Sequence, residues 1–209
     1  MNHGRGDRWL YLITDFSYGE EAITAALRAG VDYVQLREKN VSSAEYLRRA
    51  RKMRELSAAF QTKLIINDRV DIALLCGADG VHLGQEDIPV SDARKLMGQD
   101  AVIGATAKTP QQAVLAQRQG ADYLGSGAWF STNTKKDAIP ITKERYLEIL
   151  RVTDIPNVAV GGITSGNCRI PLECGADGVA VSGGIMGAEN TAEEVSRLRG
   201  MLNKETESD

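Results

Sequence analysis

Apolar and polar positions in this chain keep returning to one short pattern. AGVDYVQL (29–36), CGADGVHL (76–83), QGADYLGS (119–126) and CGADGVAV (174–181) each read as a helix ending on a glycine (Gly30, Gly77, Gly120, Gly175), a short turn and a buried strand. The copies lie 43 to 55 residues apart, which leaves room for two strand-helix units per interval. Before and between them come four further apolar runs, WLYLIT (9–14), KLIIND (63–68), AVIGAT (101–106) and NVAVGG (157–162), so the pattern predicts eight strands. Helical periodicity separates them, as in 43–60, 109–120 and 191–202, each with a Ser or Thr placed to cap its start. Eight alternating units in 209 residues fit a single closed (β/α)8 TIM barrel; a doubly wound open sheet is the competing arrangement. The expected domain is 1–209, with a polar N-terminal extension at 1–8 and a polar C-terminal tail at 203–209.

Composition narrows the partners. Lys and Arg number 25 against 28 Asp and Glu, and the net charge of −3 gives no general attraction to nucleic acid or an anionic membrane, so any anion must be caught locally. The first residues (MNHGRGDRW) are polar and no run of ~18 apolar residues exists, so neither a secretory signal nor a spanning helix is expected and the chain reads as cytoplasmic. Cys76, Cys168 and Cys174 form no CxxC and fit small buried side chains in a reducing compartment. Small molecules are the expected partners, and a homo-oligomer is left open.

In such a barrel, chemistry gathers where strands end at their carboxyl side, and the sequence loads those places with polar residues. After the second strand, Arg37 and Lys39 suit phosphate oxygens, Gln35 can hydrogen-bond a heteroaromatic ligand, and Glu38 would face outward or steady a neighbouring base. Asp68 and Asp87 end adjacent strands without nearby His or Cys, a donor set that favours magnesium over zinc. Their other reading is that Asp68 caps the following helix and Asp87 sits in a polar turn. Gly161-Gly162 and Gly183-Gly184 follow the last two strands, where backbone N–H groups can cup a phosphate. His82, inside a strand, reads as a hydrogen-bonded core residue rather than a base.

Taken together, QLREK (35–39), NDR (67–69), GVHLGQED (80–87), STNTKKD (131–137) and AVGGI (159–163) resemble the thiamine phosphate synthase family in order and spacing from Trp9 to about Gly187. The resemblance implies a transferase that joins a hydroxymethylpyrimidine diphosphate to a thiazole phosphate and releases pyrophosphate. It implies that Gln35, Leu36, Arg37, Glu38, Lys39, Asn67 and Lys135 hold the pyrimidine diphosphate and that Asp68 and Asp87 hold magnesium. Thr132, Asn133 and Thr134 would take the thiazole phosphate with Gly162, Ser182 and Gly183. Arg37, Lys39, Lys135 and Thr106 would carry catalysis. Two positions depart from the family pattern: Thr106 stands where a serine is usual, and Ser182-Gly183 where Val-Ser is usual. Loss of pyrophosphate would leave a ring-stabilised cation, so neutralising the departing anion suffices and no protein nucleophile is needed.

Two alternatives stay open. One is a related thiazole tautomerase, which needs a proton shuttle and in which a histidine is expected two residues after the Thr106 position; this chain has Lys108 there. The other is a non-catalytic phosphate-ligand sensor, which would not need paired carboxylates.

Overall fold

Alternation along eight short strands sorts the side chains into two separate cores. The computed structural model describes residues 8–131 and 140–203. Strands β1 (Trp9–Thr14), β2 (Tyr33–Leu36), β3 (Lys63–Asn67), β4 (Gly80–Leu83), β5 (Val102–Thr106), β6 (Tyr123–Gly127), β7 (Asn157–Val160) and β8 (Gly178–Val181) pair in parallel in chain order, and β8 returns to β1. That closure decides between the two sequence-level arrangements in favour of the barrel. Helices α1 (Glu20–Arg28), α2 (Ser43–Ala59), α3 (Val70–Cys76), α4 (Val90–Met97), α5 (Pro110–Arg118), α6 (Lys143–Arg151), α7 (Arg169–Glu173), α8 (Gly183–Met186) and α9 (Thr191–Asn203) lie between and after the strands.

Inward positions carry Trp9, Tyr11, Tyr33, Ile65, Tyr123, Val158 and Ala180, which form one buried cluster inside the barrel. Their strand neighbours, among them Leu10, Leu12, Val34, Leu36, Leu64, Ile66 and Val81, face the helices in a second, larger cluster. Tyr123 fits because a neighbouring strand makes room: a Cβ at Gly104 would lie 2.1 Å from its ring.

The recurring Gly-x-Asp of the four echoes has a structural job. Each glycine ends its helix with positive φ, and the aspartate two residues later folds back onto the first residues of the preceding strand. Asp32, Asp79, Asp122 and Asp177 accept the N–H groups of Leu10, Leu64, Ile103 and Asn157 at 2.7–2.8 Å. Their own N–H groups donate to the carbonyls of the same four residues. Three of the four carboxylates also meet a guanidinium: Arg199 at Asp32, Arg54 at Asp79 and Arg94 at Asp122. These clamps sit at the amino-terminal end of the barrel, the face that serves stability. Asp79→Ala leaves both a backbone N–H and Arg54 without their acceptor, so we expect it to lower stability by about 2 kcal/mol, read as a lower Tm with turnover intact.

Two boundary expectations need correction. Ser42 and Thr109 cap α2 and α5 as a hydroxyl should, accepting from Glu45 and Gln112 at 3.2 Å. Asn190, rather than Thr191, caps α9: its Oδ1 accepts the Glu193 N–H, and Thr191 is the first helical residue and buried. Asn203 belongs to α9 instead of the tail predicted to start there, while the rest of that tail and residues 1–7 of the extension lie outside the described residues.

Candidate active site

At the carboxyl end of the strands the barrel opens into a cavity of about 920 Å3. The residues that β2, β3 and β4 deliver to it are charged. Arg37, Lys39, Asn67, Asp68 and Asp87 all line it. The Asp68 carboxyl hydrogen-bonds Asp87, and burial, that bond and the Asp87 charge push its pKa up to about 6, while Lys39 and Arg37 pull it back. The opposition shows two carboxylates and two cations acting on one another across three strand ends.

Asp68 does not cap α3, which removes its alternative reading. The cap position of α3 belongs to Arg69 and carries no side-chain cap bond, and the Asp68 backbone sits at φ 62 with its N–H on the His82 carbonyl. Asp87 accepts the Gly84 N–H at 2.6 Å, which holds the β4–α4 turn. Among the described residues no three His, Cys, Asp or Glu groups gather to hold a metal. A pair of proton-sharing carboxylates without nitrogen or sulfur donors still suits magnesium, which keeps waters and takes phosphate oxygens rather than demanding a full protein cage.

Beneath this charged quarter runs a line of hydrogen bonds through the barrel interior. Gln35 Nε2 donates to the Tyr11 hydroxyl (2.9 Å), which meets the Tyr123 hydroxyl (2.9 Å), which meets His82 Nδ1 (3.1 Å). His82 Nε2 in turn meets the Thr106 Oγ1 at 3.0 Å. Burial lowers the His82 pKa to about 4, so the imidazole is neutral near neutral pH, and it raises those of Tyr11 and Tyr123. The expectation that His82 is a hydrogen-bonded residue rather than a base agrees with this setting. Gln85 reaches across from the next loop to the Thr106 carbonyl, and Gln112 accepts the Lys108 N–H, so the turn after β5 is held from both sides.

The opposite quarter, after β7 and β8, is rich in glycine, with Ile163 and Thr164 beside it. Gly161, Gly162, Ser182, Gly183 and Gly184 line it. Gly162 has φ 66, and a Cβ there would lie 2.6 Å from the Ser131 carbonyl oxygen and 2.7 Å from Phe130 Cβ. Its own carbonyl accepts from Asn167 Nδ2 at 2.9 Å. At the first turn of α8, N–H groups lie before any intrahelical partner and can turn toward an anion.

Most of the sequence-named residues therefore converge, and two do not. Leu36 is fully buried against the helices, because Gln35 takes the inward position and the next residue must point out. Glu38 accepts the Phe16 N–H at 3.0 Å and pairs with Arg49 at 2.7 Å, with its side chain only 3% exposed. It anchors the β2–α2 loop that presents Arg37 and Lys39, and neither it nor Leu36 faces the cavity. Thr132, Asn133, Thr134 and Lys135 lie outside the described residues. Sequence reasoning passed over Tyr11 and Tyr123, although their inward parity on β1 and β6 was available as a signal, and it passed over Gln112. The three cysteines are buried as expected, and burial pushes the Cys76 and Cys168 thiols up, away from nucleophilic character.

Comparison with known proteins places this geometry. The family described as thiamine monophosphate synthase matches residues 10–185. The chain is similar to a thiamine-phosphate synthase of Methanobrevibacter smithii, 45% identical over 88% of this chain and 90% of the relative. It is similar also to one of Clostridium tetani, 42% identical over 98% of this chain and 100% of the relative. Among solved structures, thiamine phosphate pyrophosphorylase from Pyrococcus furiosus superposes with a TM-score of 0.86 at 36% identity, covering 95% of this chain and 96% of that one. A 3-hexulose-6-phosphate synthase, at 14% identity and TM-score 0.70 over 92% of this chain and 99% of its own, shares the fold alone.

Proposed function

Because this chain belongs to the thiamine monophosphate synthase family, we propose that its cavity joins a hydroxymethylpyrimidine diphosphate to a thiazole phosphate, giving thiamine phosphate and pyrophosphate. It is a transferase. The observation that carries the reading is the division of one cavity into a charged quarter, with Arg37, Lys39, Asp68 and Asp87, and a glycine-lined quarter after β7 and β8. One anion with a metal fits the first and a second, singly phosphorylated ligand fits the other.

In the transfer, the bond from the exocyclic methylene carbon to the diphosphate oxygen breaks and the thiazole nitrogen forms a new bond to that carbon. The cation left between these events is spread over the aminopyrimidine ring. Arg37 and Lys39 balance the charge that develops on the leaving group, a task that sequence position assigns to Lys135 as well. Magnesium held by Asp68 and Asp87 would neutralise diphosphate oxygens. Asn67 and Gln35 hold the pyrimidine, while Gly162 and the Ser182–Gly183 backbone hold the thiazole phosphate and so fix its nitrogen in line. Among the described residues that line the cavity there is no cysteine and no hydrogen-bonded Ser-His-Asp set, and a protein nucleophile is not needed.

Purified protein incubated with both heterocycles and magnesium is expected to release thiamine phosphate and pyrophosphate together. Absence of both products would end this reading. We place the enzyme in the cytoplasm, in keeping with small-molecule partners and with the absence, among the described residues, of a helix long and apolar enough to cross a membrane. A homo-oligomer is compatible with all of this.

The tautomerase alternative needs a group that takes a proton from carbon near neutral pH. The imidazole in the cavity has its pKa lowered to about 4, and Lys108 stands where the shuttle is expected. We therefore expect no measurable isomerisation of the thiazole carboxylate phosphate when it is followed by NMR in deuterated buffer; rapid isomerisation lost in Lys108→Ala would reverse that assignment.

A further inference from the structure

The interior hydrogen-bond line has a direction, and the direction gives His82 a task. Tyr11 and Tyr123 are buried, so each hydroxyl proton goes to a neighbour within the line. Gln35 Nε2 can only donate, which makes the Tyr11 oxygen its acceptor and sends the Tyr11 proton on to Tyr123. Tyr123 then donates to His82 Nδ1, which must be bare, so a neutral His82 carries its proton on Nε2 and donates it to the Thr106 hydroxyl. With its oxygen occupied as an acceptor there, Thr106 is left to point its own proton into the cavity.

The two ends agree with this sense and not with the reverse. Running forward, the line leaves the Gln35 carbonyl oxygen as an acceptor for an exocyclic amine and Thr106 as a donor beside an anion. Running backward, it requires the Gln35 amide to be turned over, and it sets the Thr106 lone pairs against phosphate oxygens. The rings have little room to rearrange: a Cβ at Gly125 would lie 2.9 Å from His82 Cε1, and the Tyr123 ring fills the space at Gly104.

We propose that His82 is a positioning residue for the transfer: held as the Nε2–H tautomer by the Tyr11–Tyr123 relay, it fixes the Thr106 hydroxyl as a donor toward the departing diphosphate. This rests on the synthase reading for the identity of the anion, but the tautomer itself does not. The relay links the group that holds the pyrimidine ring to the group that meets its leaving group, through the barrel floor rather than through the ligand.

The chain has only two histidines, His3 and His82, so a sample labelled with 15N in histidine shows two imidazoles, and His82→Gln assigns them. Long-range proton–nitrogen correlation near neutral pH should find His82 protonated at Nε2 and bare at Nδ1, with the preference lost in Tyr123→Phe. In turnover, His82→Gln keeps an N–H near the Nε2 place and His82→Asn does not. The Asn variant should therefore fall below the Gln variant by on the order of a hundredfold in kcat, with KM for the thiazole phosphate little changed. Thr106→Ser should retain activity and Thr106→Val should match the Asn loss. A His82 protonated at Nδ1 in an active enzyme, or equal kcat for the Gln and Asn variants, would overturn the positioning role alone. Protein that shows the Nε2–H tautomer yet makes no thiamine phosphate would overturn the synthase reading, and the assignment of His82 to it as well.

Discussion

Asp68→Asn should all but stop the formation of thiamine phosphate, by on the order of a hundredfold to a thousandfold, while making the protein harder to unfold. The first effect follows if Asp68 and Asp87 hold magnesium against the diphosphate, since one carboxylate charge and one ligand oxygen go at once. The second follows from the proton balance. The folded pKa of Asp68, about 6, lies above the ordinary 3.8, so the native state binds this proton more tightly than the unfolded chain. Ionising it costs stability in full above about pH 6, and the cost fades as pH falls toward 3.8. Asparagine is neutral throughout, so Tm should rise near neutral pH and the gain should shrink near pH 4. The backbone tolerates the change because asparagine adopts the positive φ of 62 found at this position better than most residues. Asp87→Asn should lose activity to a similar degree, and its remaining carbonyl can still accept from Gly84. Wild-type turnover by both variants at limiting magnesium would remove the metal role from this pair.

Gly162→Ala should strike the other ligand. At φ 66 any side chain is strained, and here the new Cβ would press on the Ser131 carbonyl oxygen and Phe130 Cβ, neither of which is the tip of a flexible chain. The segment after β6 must move, and the glycine-lined wall moves with it. We expect KM for the thiazole phosphate to rise on the order of tenfold to a hundredfold while KM for the pyrimidine diphosphate stays close to wild type. Gly30→Ala is the control: its φ of 96 imposes similar strain, but nothing lies within 4 Å of the added atom. It should lower Tm by the strain alone, ~1–2 kcal/mol, and leave both KM values in place. An unchanged KM for the thiazole phosphate in Gly162→Ala would detach this wall from phosphate binding.

The barrel was legible because each strand is a short apolar run and each even-numbered one is announced by the same phrase. The strands fell within a residue or two of the expected runs, since turn glycines punctuate them. Less legible was why the phrase repeats: Asp32, Asp79, Asp122 and Asp177 act on a strand tens of residues away, a contact that local periodicity does not encode. Residue type and strand end sufficed to place Arg37, Lys39, Asp68 and Asp87 on the cavity wall. They do not place Leu36 and Glu38 there, because pleating turns one side chain outward and Arg49, eleven residues on, captures the other. The tyrosine floor escaped for the converse reason: Tyr11 and Tyr123 look like ordinary core aromatics until their hydroxyls are seen to meet across 112 residues.

Arg199, on the last helix, reaches the Arg8 and Gly30 carbonyls and Asp32, and β1 finds its second neighbour only in β8. On the ribosome this means that the first strand emerges with one edge bare. Some 170 residues must follow before that edge is covered, on the order of ten seconds or more at ordinary elongation rates. Seven strands can pair as they appear, but the ring cannot shut until β8 has been made. A nascent chain stalled before residue 178 should therefore present an open, adhesive sheet to whatever chaperone waits at the exit tunnel.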